Sequence, residues 1–316
     1  MACVAESNRQ IAGYILDAAA RIEFKCRDEN AERGIQVTAS FERDHDDRSA
    51  ETPSPVWMAS PERRAALVVA HPAHEIRVLQ WLSQTRAHTY VLTQGSRSSA
   101  ETSRRQASED LISSVGGTMS GWGGIWDRDL YKCLLNGAVA PFERWTSELA
   151  DDLAGREVDL VVADAWQFYN VAHDLTHLMA RLATARASAV LRRPIAFFDY
   201  PVVPDEMAPG VAAQRAVATL RLNEAEAMSK RAAAAAIADI AGDATDIEAV
   251  EGNHAFARES FREPPALQTL LQTPCETPLY ERFGEQRVQS NIYFDVIRWG
   301  HVRTICEALV ASYGSN

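Results

Sequence analysis

The stretch AALVVAHPAHE, residues 65–75, decides the fold class, because a short apolar run stops abruptly at a polar turn. A run of this kind is typical of a strand that is buried on both faces. The helix-like stretch EIRVLQWLSQ follows at 75–84, and the next strand-like run, HTYVLTQGS, begins at residue 88. The chain therefore alternates strand and helix from this point, which favours a parallel sheet.

The same alternation continues through the next hundred residues. A helix is predicted in ETSRRQASEDLISSVGG (101–117), a strand in VDLVVADA (158–165), a helix in HDLTHLMARLATARA (173–187) and a strand in RRPIAFFDYPV (192–202). Strands this apolar need cover on both faces. The pattern predicts an α/β fold with a Rossmann-like, mostly parallel sheet and helices on both sides.

The two ends of the chain differ from this middle part. Residues 1–62 are predicted to be an N-terminal extension, with a helix near 8–24, a short strand at 35–41 and the linker FERDHDDRSAETPSP at 41–55. Residues 63–316 are predicted to be one α/β domain. Its last part is predicted to be mostly helical, starting with one long alanine-rich helix at 220–240.

The composition excludes several classes of partner. The 316 residues carry a formal net charge of −11, with 43 acidic and 32 basic side chains, which argues against binding to nucleic acid or an anionic membrane. No transmembrane helix or signal peptide is predicted. Five dispersed cysteines without a CxxC motif indicate reduced thiols. We expect a cytoplasmic protein with a small-molecule substrate, and the composition leaves a homo-oligomer open.

Two groups of histidines follow two of the predicted strands. His71, His74 and Glu75 come directly after the first strand, and Asp164 ends a later strand shortly before His173. Parallel strands present their carboxyl ends at one edge of a sheet, where α/β folds bind ligands. Imidazole is a common ligand of zinc and related metals. We therefore predict a metal held by His71, His74 and His173, with a position left open for water.

Structural alternatives exist for each of these side chains. A single helical histidine is more often a packing residue than a ligand, and for His177, one turn after His173, the two interpretations are equally supported.

Aromatic and polar residues in two loops are predicted to contact a sugar or another polar ligand. The alternative is that each aromatic residue anchors its loop to the core. These candidates are Trp122, Trp126, Asp127, Trp166, Tyr169 and Asn170.

The motifs AHPAHE (70–75) and NVAH (170–173), with VLTQGS (91–96) and SRRQASEDLISSVGG (103–117), resemble those of a known superfamily. The chain is similar to the PIG-L/LmbE-like zinc-dependent N-deacetylases over residues 64–310. That superfamily carries AHPDDE after the first strand and HPDH after a later one. The resemblance implies an LmbE-like fold, a bound Zn²⁺ or another divalent transition metal, and hydrolysis of an amide bond.

The resemblance also assigns positions within the site. His71 and His173 match ligand histidines, and His74 stands where the family has a ligand aspartate. Ala73 stands where the family has the aspartate that acts as general base, and alanine cannot accept a proton. Glu75, Asp164 and Asp174 are therefore predicted as substitute bases and His301 as an oxyanion donor. For Glu75 the alternative is a structural role at a helix start, and for His301 a helix-surface position.

Three functions remain open at this point. The first is a metal-dependent N-deacetylase-like hydrolase of an N-acylated sugar or a similar small polar metabolite. The second is a biosynthetic enzyme on the same scaffold that catalyses transfer, elimination or bond formation. The third is a non-catalytic binder of a metal or ligand. The last two are motivated by the loss of the base at Ala73.

Overall fold

The computed structural model of the protein describes residues 56–95, 104–208, 214–237, 241–252 and 254–313. The predicted helix at 8–24, the strand at 35–41 and the linker at 41–55 lie outside the described residues. The boundary of the predicted extension at residue 62 therefore stays a prediction.

The described part of the chain is organised around a five-stranded, fully parallel sheet. Its strand order is β3-β2-β1-β4-β5, so the direction of the connections reverses between β1 and β4. This order confirms the predicted α/β fold with helices on both faces. The strands are β1 (Ala65–Val69), β2 (His88–Thr93), β3 (Thr118–Ile125), β4 (Leu160–Asp164) and β5 (Ala196–Tyr200).

Helices cover both faces of the sheet. Most connect successive strands, and the last ones close the C-terminal part, as the sequence predicts. The helices of the described residues are α1 (Leu79–Thr85), α2 (Arg104–Ser114), α3 (Asp127–Leu135), α4 (Ala140–Gly155), α5 (Val171–Leu191), α6 (Glu224–Ala236), α7 (Ala241–Glu251), α8 (His254–Ala257), α9 (Leu267–Leu270), α10 (Leu279–Gln289) and α11 (Trp299–Tyr313).

The central strand β1 shows why the sheet needs two cores. Successive side chains of a strand point to opposite faces. Ala66 and Val68 belong to a core with residues of α4, α5 and α11. Leu67 and Val69 belong to the opposite core, which includes residues of α1 and of a separate two-stranded sheet. Burial on both faces explains the continuous apolar run that the sequence shows here.

Three parts of the fold differ from the prediction. Trp122 is expected in a loop, but residues 118–125 form strand β3 at the edge of the sheet. The long alanine-rich helix begins later than expected, because Asn223 caps α6 in a capping box with Glu226. The residues just before α6 form strand β6 (Ala218–Arg221). This strand pairs antiparallel with β7 (Arg258–Phe261), which follows α8.

Two simpler expectations also bear on the fold. No helix in the described ranges is long and apolar enough to cross a bilayer. Cys133, Cys275 and Cys306 are free thiols, while Cys3 and Cys26 lie outside the described residues.

Candidate metal centre

The candidate site lies where the strand order reverses, at the carboxyl ends of β1 and β4. Ligands in open α/β sheets bind at this position, because the loops after the two strands diverge and leave a crevice. His71 follows β1, and a left-handed turn at Ala73 (φ 78°) leads to His74, which begins a 3-10 turn. His173 lies in the first turn of α5, whose N-terminus is capped by the side chain of Asn170.

The three predicted histidines lie against one another. The ring centroids of His71 are 5.2 Å from those of His74 and of His173, and the centroids of His74 and His173 are 4.6 Å apart. A zinc ion lies about 2.1 Å from each imidazole nitrogen in a tetrahedral site, which sets ligand ring centroids roughly 5 Å apart. The rings are therefore gathered at ligand spacing. Their nitrogens are not arranged as a formed metal site, and neither is any other group of His, Cys, Asp and Glu among the described residues.

The partners of the ring nitrogens show whether these residues fit a metal ion. Nδ1 of His71 lies 2.7 Å from the hydroxyl of Thr93, and Nδ1 of His74 donates to Asp164 Oδ2 over 2.7 Å. Nε2 of His71 and Nδ1 of His173 are buried without a hydrogen-bond partner. Unpartnered buried nitrogens are costly unless something else binds them. A cation between the rings would bind them, so the donor set fits zinc or a similar metal.

Burial also keeps two of these rings in the form that binds metals. Burial lowers the pKa of His74, although the neighbouring Asp164 opposes the shift. Burial lowers the pKa of His173 well below its usual range, and the other two histidines add to the effect. Both rings are therefore neutral at neutral pH. Neutral imidazole is the form that ligates a metal, so binding does not have to displace a proton from these two rings.

Asp164 ends β4 and is fully buried below the histidines. Burial alone would raise the pKa of this carboxyl, but the His74 ring, the Tyr200 hydroxyl and the Ala70 amide outweigh it, and the pKa is lowered. The carboxylate is therefore ionised at neutral pH. Its oxygens are occupied by these three partners, and none of its surface is accessible. This arrangement fits a residue that holds others in place better than a base that meets a substrate.

The other predicted catalytic residues also lie in structural surroundings. Glu75 and Asp174 are fully buried, and burial raises the pKa of both carboxyls. Asp174 Oδ1 accepts hydrogen bonds from the amides of Gln167 and Phe168, so it stabilises the loop before α5. His301 Nδ1 accepts the Arg298 amide at the start of α11, which is a helix-capping contact. None of these contacts directs the side chain toward the three histidines.

His177 lies one turn after His173 and takes a packing position. Its ring is fully buried against Trp166 and Phe197, and its Nδ1 donates to the backbone oxygen of Asp164. Its Nε2 is buried without a hydrogen-bond partner among the described residues, so both interpretations of His177 stay predictions.

The structure brings Asp127 to the histidines. It is the first residue of α3, after edge strand β3, and its Oδ1 lies 3.4 Å from Nδ1 of His71. The side chain is 13% exposed, whereas Glu75, Asp164 and Asp174 have no accessible surface. One helical turn further, the Tyr131 hydroxyl lies near the Asn170 side chain. Asp127 and Asn170, predicted from different loops, thus lie on one side of the same crevice.

The aromatic candidates divide into two groups. The Tyr169 ring lies 6.0 Å from that of His173 at an angle of 33°, with Phe283 of α10 behind it, so it borders the site. Trp122 and Trp166 are buried in the core: Trp122 donates its indole N–H to the Trp145 oxygen, and Trp166 packs against Phe168 and Trp299. Both fit the anchoring alternative. Trp126 precedes α3 and is partly exposed.

Ala73 is almost completely buried in a small apolar cluster. The cluster contains residues of the 3-10 turn, α6 and α8, namely Ile76, Ala234, Ala255 and Phe256, with Ile237. The Ala73 amide donates to the Ser108 hydroxyl over 2.6 Å. The position where the similar family has a base is therefore filled by packing in this chain.

Sequence reasoning missed two residues that hold the site together. Thr93 ends β2 and contacts His71, and Tyr200 ends β5 and donates to Asp164 Oδ1. The available signal was that both are polar residues at the last position of an apolar strand, the same signal that identified Asp164.

Comparison with known proteins gives little beyond the general arrangement. Neither protein-family models nor curated proteins returned a match. Solved structures with some similarity include a conserved protein from Thermus thermophilus (17% identity, 64% of this chain and 95% of that chain, TM-score 0.43). Another is the N,N'-diacetylchitobiose deacetylase from Pyrococcus horikoshii (15% identity, 64% and 84%, TM-score 0.43). A third is the A40926 pseudoaglycone deacetylase (12% identity, 63% and 96%, TM-score 0.43). No conclusion about activity follows from similarities of this size.

Proposed function

We propose that the protein is a metal-dependent hydrolase, with zinc as the expected metal, that cleaves an amide bond in an N-acylated sugar or a similar small polar metabolite. The observation that carries the proposal is the group of three rings, His71, His74 and His173, at ligand spacing where the strand order reverses. The motif resemblance at 70–75 and 170–173 supports the same chemistry.

The three histidines would hold the metal and leave one position open. A bound zinc ion would polarise the acyl carbonyl and lower the pKa of a water molecule toward neutrality. Imidazole ligands bring no negative charge to the ion, and among the described residues the carboxylate nearest to any of the three rings is that of Asp164, 2.7 Å from His74.

Proton transfer needs a carboxylate that a substrate can reach, and Asp127 meets this condition. A general base must come within hydrogen-bond distance of the proton that it accepts, directly or through one water. Asp127 Oδ1 lies 3.4 Å from His71 Nδ1, and the Asp127 side chain keeps 13% of its surface exposed, whereas Glu75, Asp164 and Asp174 have no accessible surface. In the proposed reaction, Asp127 accepts a proton from the attacking water and returns it to the leaving amine.

Tyr169 and Asn170 are suited to the remainder of the substrate. The Tyr169 ring borders His173 and offers an aromatic face, on which the apolar face of a sugar packs. Asn170 and Tyr131 offer hydrogen-bonding groups on the same side of the crevice.

Metal removal tests the proposed function. Protein treated with a chelator and then dialysed is expected to lose hydrolysis of N-acetylated amino sugars, and one equivalent of Zn²⁺ is expected to restore it. Release of acetate and of free amine from a panel of such sugars measures the activity. Undiminished hydrolysis by protein shown to be metal-free would contradict the proposal.

The packing around Ala73 favours a second candidate, an enzyme of the same scaffold whose reaction is not hydrolysis. The variant Ala73→Asp distinguishes a hydrolase that has only lost its general base from an enzyme that catalyses a different reaction. A left-handed backbone suits aspartate, but burying a carboxylate in the apolar cluster is expected to lower the free energy of unfolding by about 1–3 kcal/mol. Because Asp127 already acts as the general base in the proposed reaction, the rate of hydrolysis should rise less than about tenfold. A positioned base contributes 10²–10⁴-fold where none is present.

Ala73→Asn is the matched control for this variant, since it has the same shape without the charge. Urea denaturation measures the stability of both variants, and kcat/KM on the sugar panel measures their activity. A gain of 100-fold or more for Asp over Asn would show that the site lacks a base and would contradict the role of Asp127. No turnover of any N-acylated substrate by the wild-type protein, with metal bound, would favour the second candidate.

A further inference from the structure

The Asp164 carboxylate connects three strands beneath the histidines. Its Oδ2 accepts a hydrogen bond from the Ala70 amide over 2.7 Å and one from His74 Nδ1 over 2.7 Å. Its Oδ1 accepts the Tyr200 hydroxyl over 2.7 Å. The donors come from the ends of β1 and β5 and from the turn after β1, and the carboxylate itself ends β4. All these contacts are buried, so water does not compete for them.

These contacts fix both the tautomer and the direction of the His74 ring. Oδ2 of Asp164 already accepts the Ala70 amide and Oδ1 accepts the Tyr200 hydroxyl, so Asp164 is also the acceptor in the short contact with His74, and the ring proton of His74 is on Nδ1. Nε2 is then left with its lone pair on the side away from Asp164. The backbone oxygen of His74 lies 3.3 Å from the Tyr200 hydroxyl, which ties the same residue to the network a second time.

We propose that Asp164 is the positioning residue of the metal site: its contact with Nδ1 holds the His74 ring with Nε2 free for the ion. The inference rests on the metal site of the proposed function and goes beyond it, because it assigns a role outside the three ligands. Carboxylates that bind the second nitrogen of a ligand histidine orient the ring and raise its basicity, and their loss costs 10–100-fold in metal affinity.

The other two histidines show why the role falls to Asp164. His71 Nδ1 has the neutral Thr93 hydroxyl at 2.7 Å, while Asp127 is more distant at 3.4 Å. His173 Nδ1 has no partner among the described residues. The contact between His74 and Asp164 is thus the shortest charged contact made by any of the three rings. We expect the metal affinity to depend on it more than on Thr93.

A matched carboxylate lies on the next strand. Asp199 of β5 is equally buried, and its closest histidine contact is His177 at 3.9 Å, with Arg262 as its ion-pair partner. It therefore shares the burial and strand environment of Asp164 without touching the three histidines. Asp199→Asn controls for the general cost of removing a buried charge from this sheet.

The first test compares zinc affinity by competition with a chromophoric chelator. Asp164→Asn keeps an oxygen for Ala70 and His74 but removes the charge, and it should weaken zinc binding 10–100-fold. Asp199→Asn should change it less than about threefold. Equal affinities of Asp164→Asn and wild type, or equal losses in the two variants, would overturn the inference.

The second test reads the tautomer in the wild-type protein and needs a variant only to assign the His74 signals. Nitrogen-15 spectra of histidine-labelled protein, with and without zinc, report the tautomer of each ring, and His74→Gln identifies the His74 signals. We expect a protonated Nδ1 in a strong hydrogen bond and an unprotonated Nε2 that shifts on zinc addition. A proton on Nε2 would overturn the inference.

The experiments distinguish a failure of the role of Asp164 from a failure of the proposed function. If wild type and Asp164→Asn bind zinc alike, the metal site stands and the role of Asp164 falls. If wild-type protein binds no zinc at these histidines, the proposed function falls, and the inference falls with it.

Discussion

Replacement of Asp127 by asparagine is expected to lower kcat/KM for amide hydrolysis 10²–10⁴-fold, the contribution of a positioned general base. The reason is geometric, because Asp127 is the partly exposed carboxylate beside His71, while Glu75, Asp164 and Asp174 have no accessible surface. Asparagine has the same shape but does not accept the proton of water. Zinc affinity should fall less than tenfold, since Thr93 remains on His71 Nδ1.

Asp129→Asn is the control for this variant. Asp129 lies two residues along the same helix turn and pairs with Arg128 and Lys132 at the surface. It should keep wild-type activity and stability. An Asp127→Asn protein that binds zinc and hydrolyses its substrate at the wild-type rate would show that another group accepts the proton.

Replacement of His173 by glutamine is expected to weaken zinc binding by more than about 100-fold and to abolish hydrolysis. Loss of an outer partner of a ligand already costs 10–100-fold, so loss of a ligand should cost more. His173 also completes the group across the crevice, because His71 and His74 come from the loop after β1 and His173 from the helix after β4.

His177→Gln is matched to this variant in helix, burial and residue type. Its ring packs on Trp166 and Phe197, and its Nδ1 donates to the backbone oxygen of Asp164. It should lose stability but keep bound zinc. Zinc retained by His173→Gln, or lost equally in both variants, would contradict the assignment of the ligands.

The sheet could be predicted because its inner strands are buried on both faces. Such strands appear as continuous apolar runs, as β1 and β4 do. Strand β3 escaped prediction because glycines weaken the strand signal. Gly123 has φ +70°, and a Cβ there would lie 2.5 Å from the Leu92 oxygen, so the backbone approaches β2 too closely for another residue. The glycine that suggested a loop is required by the sheet.

From the sequence, only those site residues could be predicted that lie at or just after the end of a strand. Residues that follow β1 and β4 must meet at one edge, so His71, His74 and His173 were found from their positions. The hydrogen-bond partner of each ring could not be predicted. His74 and Asp164, for example, are 90 residues apart in sequence, and their pairing depends on rotamers and packing. For the same reason, the sequence does not show that Asp164 is enclosed by three hydrogen-bond donors or that Asp127 lies 3.4 Å from His71.

Anomalous diffraction from crystals of the purified protein, recorded on both sides of the zinc absorption edge, tests the central claim most directly. We expect one anomalous peak, from a zinc ion, among the rings of His71, His74 and His173, about 2.0–2.1 Å from a nitrogen of each ring. No peak at these rings in zinc-supplied crystals, or a peak bound by other residues, would contradict it.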